Sequence, residues 1–169
     1  MIETRLDKNF KIKGFFDEET STISYVVYDM TSKKFAVIDS VLDFDFSSGT
    51  IDYHNAEKII SFIEKMKLDL EWLIETHVHA DHLSASPYIQ KKLGGKIGIS
   101  EKISDIQNIF GKTFNAGTEF QRDGSQFDRL FKDNDEYKIG NIKCVVINTP
   151  GGVLITTPVS YTHLTLPTK

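Results

Sequence analysis

The chain has 169 residues, 40% of them hydrophobic and 26% charged, which suits one soluble domain or a part of a larger one. A net charge of −4 leaves no basic field for nucleic acid, no apolar run is long enough to span a bilayer, and the single cysteine, Cys144, excludes an internal disulfide. The polar opening MIETRLDKNF does not resemble a signal peptide, so a reducing, cytoplasmic setting is expected.

Phe10 to Phe16 reads as a strand. Ile23 to Asp29 (ISYVVYD) and Phe35 to Asp39 (FAVID) flank the polar turn Thr31-Ser32-Lys33-Lys34 and read as a hairpin. A Gly/Ser-punctuated loop, VLDFDFSSGTIDYH, follows. Asn55 to Lys67 is expected to be helical, with Ala56, Ile59, Ile60 and Ile63 on one face. Leu70 to Glu75 returns to strand. Ser86 to Leu93 is a second helix, stopped by Gly94-Gly95, and Lys96 to Ile99 a short strand. Ser100 then resembles an N-cap for a third helix with Ile103, Ile106, Ile109 and Phe110 as its buried stripe. Residues 111 to 134 read mainly as loop, and Glu136 to Ile139 with Ile142 to Asn148 as a hairpin around Gly140-Asn141. This alternation implies a layered α/β protein with helices covering a mixed sheet.

Residues 76 to 82 read THVHADH and hold three of the five histidines. His77 and His79, two apart at a strand end, would point to one side, and Asp81 and His82 follow where the chain can fold back. Imidazole and carboxylate are ligands for zinc or iron. Strand ends of α/β sheets are also where active sites sit. Packing alone does not explain so many polar side chains, because each would need its own partner.

His77-x-His79-x-Asp81-His82 resembles the HxHxDH signature of the metallo-β-lactamase fold superfamily. The stretches ETHVHADHLSASPYIQKKLGGKIGIS, FGKTFNAGTEFQRDGSQFDRLFKD, STISYVVYD and AVIDSVLDFD resemble its bacterial persulfide dioxygenase branch, close to the glyoxalase II group. The resemblance spans about residues 10 to 151 and implies an αββα sandwich of which only the N-terminal part is present. It also implies that the positions of His77 and His79 serve one metal and those of Asp81 and His82 a second in dinuclear hydrolases. In persulfide dioxygenases it implies one ferrous iron held by two histidines and an aspartate, with His77 as the first of them. The implied substrate is glutathione persulfide, oxidised to sulfite and glutathione. Asp81 and His82 would then orient water or substrate. The alternatives are a glyoxalase II-like thioester hydrolase with one or two zinc ions and a non-catalytic fragment. A nuclease fits the acidic balance poorly, and no nucleic-acid or membrane partner is expected.

The second iron histidine of that branch lies in a TPGH motif. Here Thr149-Pro150-Gly151 runs into Gly152, and the later aspartate strand has no counterpart, so the 169 residues as written are expected to show no turnover. Val159 to Thr168 (VSYTHLTLPT) resembles translated transposon-end sequencing adaptor. The expected division is a partial domain over 1–151 and a non-native tail over 152–169, in which His163 is not a ligand. His54 reads as a surface or N-capping residue, and Cys144 as a small buried hydrophobe. Asp39 either supports the cluster from behind or caps a turn. Lys112, Arg122 and Arg129, placed in the loop after the third helix, read as surface charges that could meet substrate carboxylates in an intact relative.

Overall fold

The computed structural model describes residues 10–79 and 81–149, with the backbone of 159–161 and 164–165. In chain order, β1 (Phe10–Asp17), β2 (Thr22–Asp29), β3 (Lys34–Ile38), β4 (Val41–Asp45) and β5 (Thr50–Asp52) lead into helix α1 (His54–Met66). Then come β6 (Asp69–Ile74), β7 (Leu83–Ser84), α2 (Ser86–Leu93), β8 (Lys96–Ser100), α3 (Ile103–Thr113) and β9 (Arg129–Phe131). The short strands β10 (Glu136–Ile139), β11 (Ile142–Val146), β12 (Val159–Tyr161) and β13 (Leu164–Thr165) follow.

The main sheet has the order β1-β2-β3-β6-β8-β9. β1, β2 and β3 form an antiparallel meander, and β6, β8 and β9 add in parallel to β3. Parallel neighbours need a crossover, and α1 and α2 supply the first two. Because side chains alternate along a strand, an unbroken apolar run means burial on both faces. Val26, Phe35, Val37 and Leu73 face one core with Ala56, Ile59, Ile60 and Ile63 of α1 and Ile89 of α2. Val27, Ala36, Ile38 and Ile74 face the other, against Tyr137, Ile139, Cys144 and Val146 of β10 and β11. The layers are therefore helix, sheet and second sheet.

Polar hooks fasten the second sheet. Asp29, 2% exposed, accepts bonds from the Asn141 backbone (3.0 Å) and side-chain amide (2.9 Å), as well as Thr31 N–H and the Ser32 hydroxyl. Glu71 accepts Gly140 N–H at 2.6 Å, and Trp72 Nε1–H donates to Lys138 O at 3.0 Å.

Gly98 marks the closest approach in the main sheet. A Cβ there would lie 2.5 Å from the Phe131 ring, which is 2% exposed and packed against Trp72 and Tyr137. Gly98→Ala is expected to cost about 1–3 kcal/mol of stability by overpacking. Urea unfolding measures this, and an unshifted midpoint would mean the ring has room to move.

Several sequence expectations need correction. Residues 41–54 are not plain loop: β4 and β5 form a hairpin and β7 pairs with β4. The 111–134 stretch holds β9, which adds in parallel to β8. Ser100 ends β8, paired with Phe131, and accepts Lys102 N–H at 3.3 Å; Lys102 holds the N-cap position without a side-chain cap. Ile109 is 46% exposed, because it falls off the stripe of Ile103, Ile106, Gln107 and Gly111. His54 is the exposed first residue of α1 and caps nothing; Asp43 reaches over from β4 to accept Asn55 N–H at 2.9 Å. Cys144 is fully buried, as expected, and burial pushes its thiol up to about 12. Gly151, Gly152 and His163 lie outside the described residues.

Candidate metal centre

The C-terminal ends of β3, β6 and β8 meet at one point. Asp39 N–H donates to Ile74 O and Glu75 N–H to Gly98 O, both at 3.0 Å, so Asp39 and Glu75 are fixed side by side as the strands finish. Asp39 adopts φ 51°, a left-handed conformation that aspartate tolerates better than most residues. There its carboxylate accepts Thr76 N–H at 2.7 Å, the Thr76 hydroxyl at 2.6 Å and His79 Nε2–H at 3.1 Å. Asp39 therefore supports the cluster.

The chain then turns through the histidine stretch and brings the rings together. Centroids of His77 and His79, and of His79 and His82, are each 4.2 Å apart. Donor atoms of Asp39, His77 and His79 lie within 4.8 Å of one another, as do those of His79, Asp81 and His82. The predicted four, His77, His79, Asp81 and His82, are thus gathered in one place, with His79 common to both groups.

The bonds around each ring decide which nitrogen is left over. The Thr76 hydroxyl gives its one proton to Asp39, so it accepts from His77 Nδ1–H at 2.8 Å and leaves His77 Nε2 with a lone pair. His79 Nε2 lies 3.1 Å from both Asp39 Oδ1 and Glu75 Oε2, acceptors only, so it carries a proton and Nδ1 is the nitrogen left to offer. His82 Nδ1 donates to Leu83 O at 2.9 Å. Its Nε2 is buried and has no hydrogen-bond partner among the described residues. A bare imidazole nitrogen withdrawn from water and unpaired is costly, and a cation satisfies it. Asp81, more exposed, accepts the Thr22 hydroxyl at 3.1 Å. Three imidazoles with one free nitrogen each, beside a carboxylate, fit a borderline-soft divalent metal such as zinc or ferrous iron.

Glu75, Thr76, Thr22, Ser84 and Ser86 belong to this site, and sequence reasoning missed them. Glu75 Oε1 accepts the hydroxyls of Ser84, at 2.6 Å, and Ser86. The available signal was the polar pair Glu75-Thr76 closing an apolar strand, with serines alternating around Ala85. Lys112, Arg122 and Arg129 stay apart from the cluster. Lys112 lies in α3, Arg122 donates to Gly111 O and Ala116 O, and Arg129 pairs with Asp135 over the Phe131 ring.

Charge follows the same geometry. Burial works against the His79 cation, but the bonds and charges of Asp39 and Glu75 outweigh it and raise its pKa to about 10. Burial likewise opposes the Asp39 anion, yet His79 and Thr76 hold it below the usual carboxylate range. Burial and the neighbouring His79 charge lower the His77 pKa below the ordinary imidazole value. For Asp81, burial is outweighed by its own backbone N–H, the Thr22 hydroxyl and the His82 and His79 charges, which lower it.

The His79 shift fixes a pH dependence. Its folded value is raised, so the stability it contributes to the metal-free protein is full below about pH 6.5 and is lost as pH rises through about 10. The loss should approach about 1.4 kcal/mol per pH unit. Cys144, raised by burial, adds a loss of the same sign only above about pH 8.5. Melting the chelator-treated protein between about pH 7.5 and 8.5, above the range in which the lowered His77 adds stability as pH rises, therefore isolates His79; a flat profile there would contradict the carboxylate–imidazolium arrangement.

The described residues thus form a three-layer α/β domain with a histidine–aspartate cluster, able to hold a metal ion, at the ends of its parallel strands. The Metallo-beta-lactamase superfamily matches residues 18–162, and the chain belongs to that family. It is 46% identical over 140 residues to a probable metallo-hydrolase of Burkholderia pseudomallei, covering 83% of this chain and 48% of that one. It is 38% identical over 142 residues to glyoxylase B2 of Dictyostelium discoideum (83% and 49%). It is 21% identical over 140 residues to the mitochondrial persulfide dioxygenase ETHE1 of Bos taurus (83% and 43%). The crystal structure of ETHE1 from Myxococcus xanthus superposes with a TM-score of 0.65 at 20% identity, over 89% of this chain and 53% of that one, which shows the shared fold. The chain spans just under half the length of these curated relatives. Relatives in this family are enzymes. Among the described residues no helix is long and apolar enough to cross a membrane.

Proposed function

We propose that the chain carries the histidine side of the metal centre of a persulfide dioxygenase that oxidises glutathione persulfide to sulfite and glutathione. The supporting observation is that His77, His79 and His82 each have one ring nitrogen committed to a protein partner and one left free, beside Asp81. Ferrous iron bound there supplies the redox chemistry toward dioxygen. The chain's residues supply orientation. Thr76 fixes the His77 ring, Asp39 and Glu75 hold the His79 Nε2 proton, and Thr22 steadies Asp81. Asp81 and His82, at the more open side, orient water or substrate. The relative bearing the dioxygenase name supports this choice.

A glyoxalase II-like thioester hydrolase is the second reading. The distinct donor group His79, Asp81 and His82, with the unpaired His82 nitrogen, favours a second cation and metal-activated water. Metal content with paired assays separates the two. One iron with oxygen uptake on glutathione persulfide supports the first; two metals with cleavage of a glutathione thioester support the second. We place the domain boundary at Gly151, with 152–169 a non-native tail, and expect turnover only where Thr149-Pro150-Gly151 continues into a histidine. A long DNA read across codons 140 to 170, made without adaptor tagging, tests that boundary.

A further inference from the structure

We infer that Glu75 is a positioning residue that selects the ring nitrogen His79 presents and clasps both ends of the loop carrying Asp81 and His82. The inference rests on the metal reading of the cluster.

The geometry is specific to this side chain. Glu75 is 6% exposed, at the end of a strand, where a buried carboxylate needs several donors. It has three, and all come from the histidine loop or its far end. Oε2 takes His79 Nε2–H at 3.1 Å, and Oε1 takes the hydroxyls of Ser84 (2.6 Å) and Ser86. Ser86 has spent its proton on Glu75, so Ser40 donates to Ser86 Oγ at 3.1 Å, and Ala85 N–H donates to Ser40 O at 2.9 Å. The Ser84 hydroxyl oxygen in turn accepts Ser86 N–H at 3.1 Å. One carboxylate thus closes the loop between the end of β6 and the start of α2. It also holds His79 from the side opposite its free nitrogen. Asp39 alone would leave the His79 ring with one anchor and no tie to the loop exit.

The isosteric change Glu75→Gln tests this in the full chain. Its amide can still accept a serine hydroxyl, but an NH2 facing His79 cannot accept Nε2–H. Three readouts separate a positioning role from a merely structural one. In the metal-free wild type, a slowly exchanging downfield imidazole N–H resonance of His79 is expected. In Glu75→Gln it should be lost or shift strongly. Zinc affinity, read by chelator competition, should weaken by about 10- to 100-fold, the usual scale for groups that orient metal ligands. The double variant Ser84→Ala/Ser86→Ala keeps the Glu75–His79 bond. It should retain the resonance while hydrogen exchange at Ala85 N–H accelerates.

Unchanged zinc affinity and an unchanged resonance in a folded Glu75→Gln protein would overturn the inference. A wild type that takes up no zinc, yet whose His79 resonance depends on Glu75, would overturn the metal reading and leave the hydrogen-bond assignment standing.

Discussion

Replacing His79 with alanine is expected to weaken metal binding by more than 100-fold and to destabilise the metal-free protein by about 3–5 kcal/mol near neutral pH. The two effects have one source. His79 is the ring shared by both donor groups, so its loss breaks each of them. It is also the cation between Asp39 and Glu75, whose side chains are 16% and 5% exposed. Removing it leaves two carboxylates facing each other with little water, which is worse than never having buried a pair. His79→Gln, whose side-chain NH2 can donate to the carboxylates, should recover part of the stability but none of the affinity. Urea unfolding and chelator competition measure the two effects independently. A variant with wild-type stability would show that the carboxylates find other donors.

Asp29→Ala is expected to loosen the second sheet and cost about 2–4 kcal/mol, through buried donors left without acceptors. Asp29 joins the turn after β2 to the turn between β10 and β11 by accepting from Thr31, Ser32 and both Asn141 groups. Burial opposes its charge, but these bonds hold its carboxyl below the ordinary range. The lowered value means its contribution is present above about pH 4 and is lost as pH falls through the folded pKa. Amide exchange should rise first at Gly140 and Asn141, ahead of the main sheet. Uniform exchange across both sheets would contradict a local hook.

The main elements were legible because their signals are periodic. A two-faced apolar run such as FAVI or SYVVY reads as a central strand, and the spacing of Ala56, Ile59, Ile60 and Ile63 reads as one helix face. The short strands β4, β5, β7 and β9 were not legible. Strands of two to five residues carry almost no period, and their pairing is set by neighbours distant in sequence, as when Val41 meets Ser84 and Gly98 meets Arg129. The third helix shows the same limit in another form: four apolar residues were visible, but only packing shows that Ile109 is off the buried stripe.

At the site, the ligand types were legible in THVHADH because metal donors crowd there. Of the groups that aim them only Asp39 was legible, and only as one of two readings beside turn-capping. Asp39 and Thr22 approach from 40 and 59 positions away, a distance in sequence that only the sheet closes. Glu75 and Thr76 adjoin the motif, yet a glutamate and a threonine are ordinary residues until a structure shows what they hold.

Zinc titration of the metal-free chain at neutral pH, wild type against His77→Ala and His82→Ala, tests the central claim most directly. Competition with a chelator gives the affinity, and proton release gives the displacement from His79. The wild type should bind with release of about one proton, its affinity rising about tenfold per pH unit, and each variant should bind at least about 100-fold more weakly. Equal binding by all three proteins, or binding without proton release, would contradict a metal centre built from these side chains.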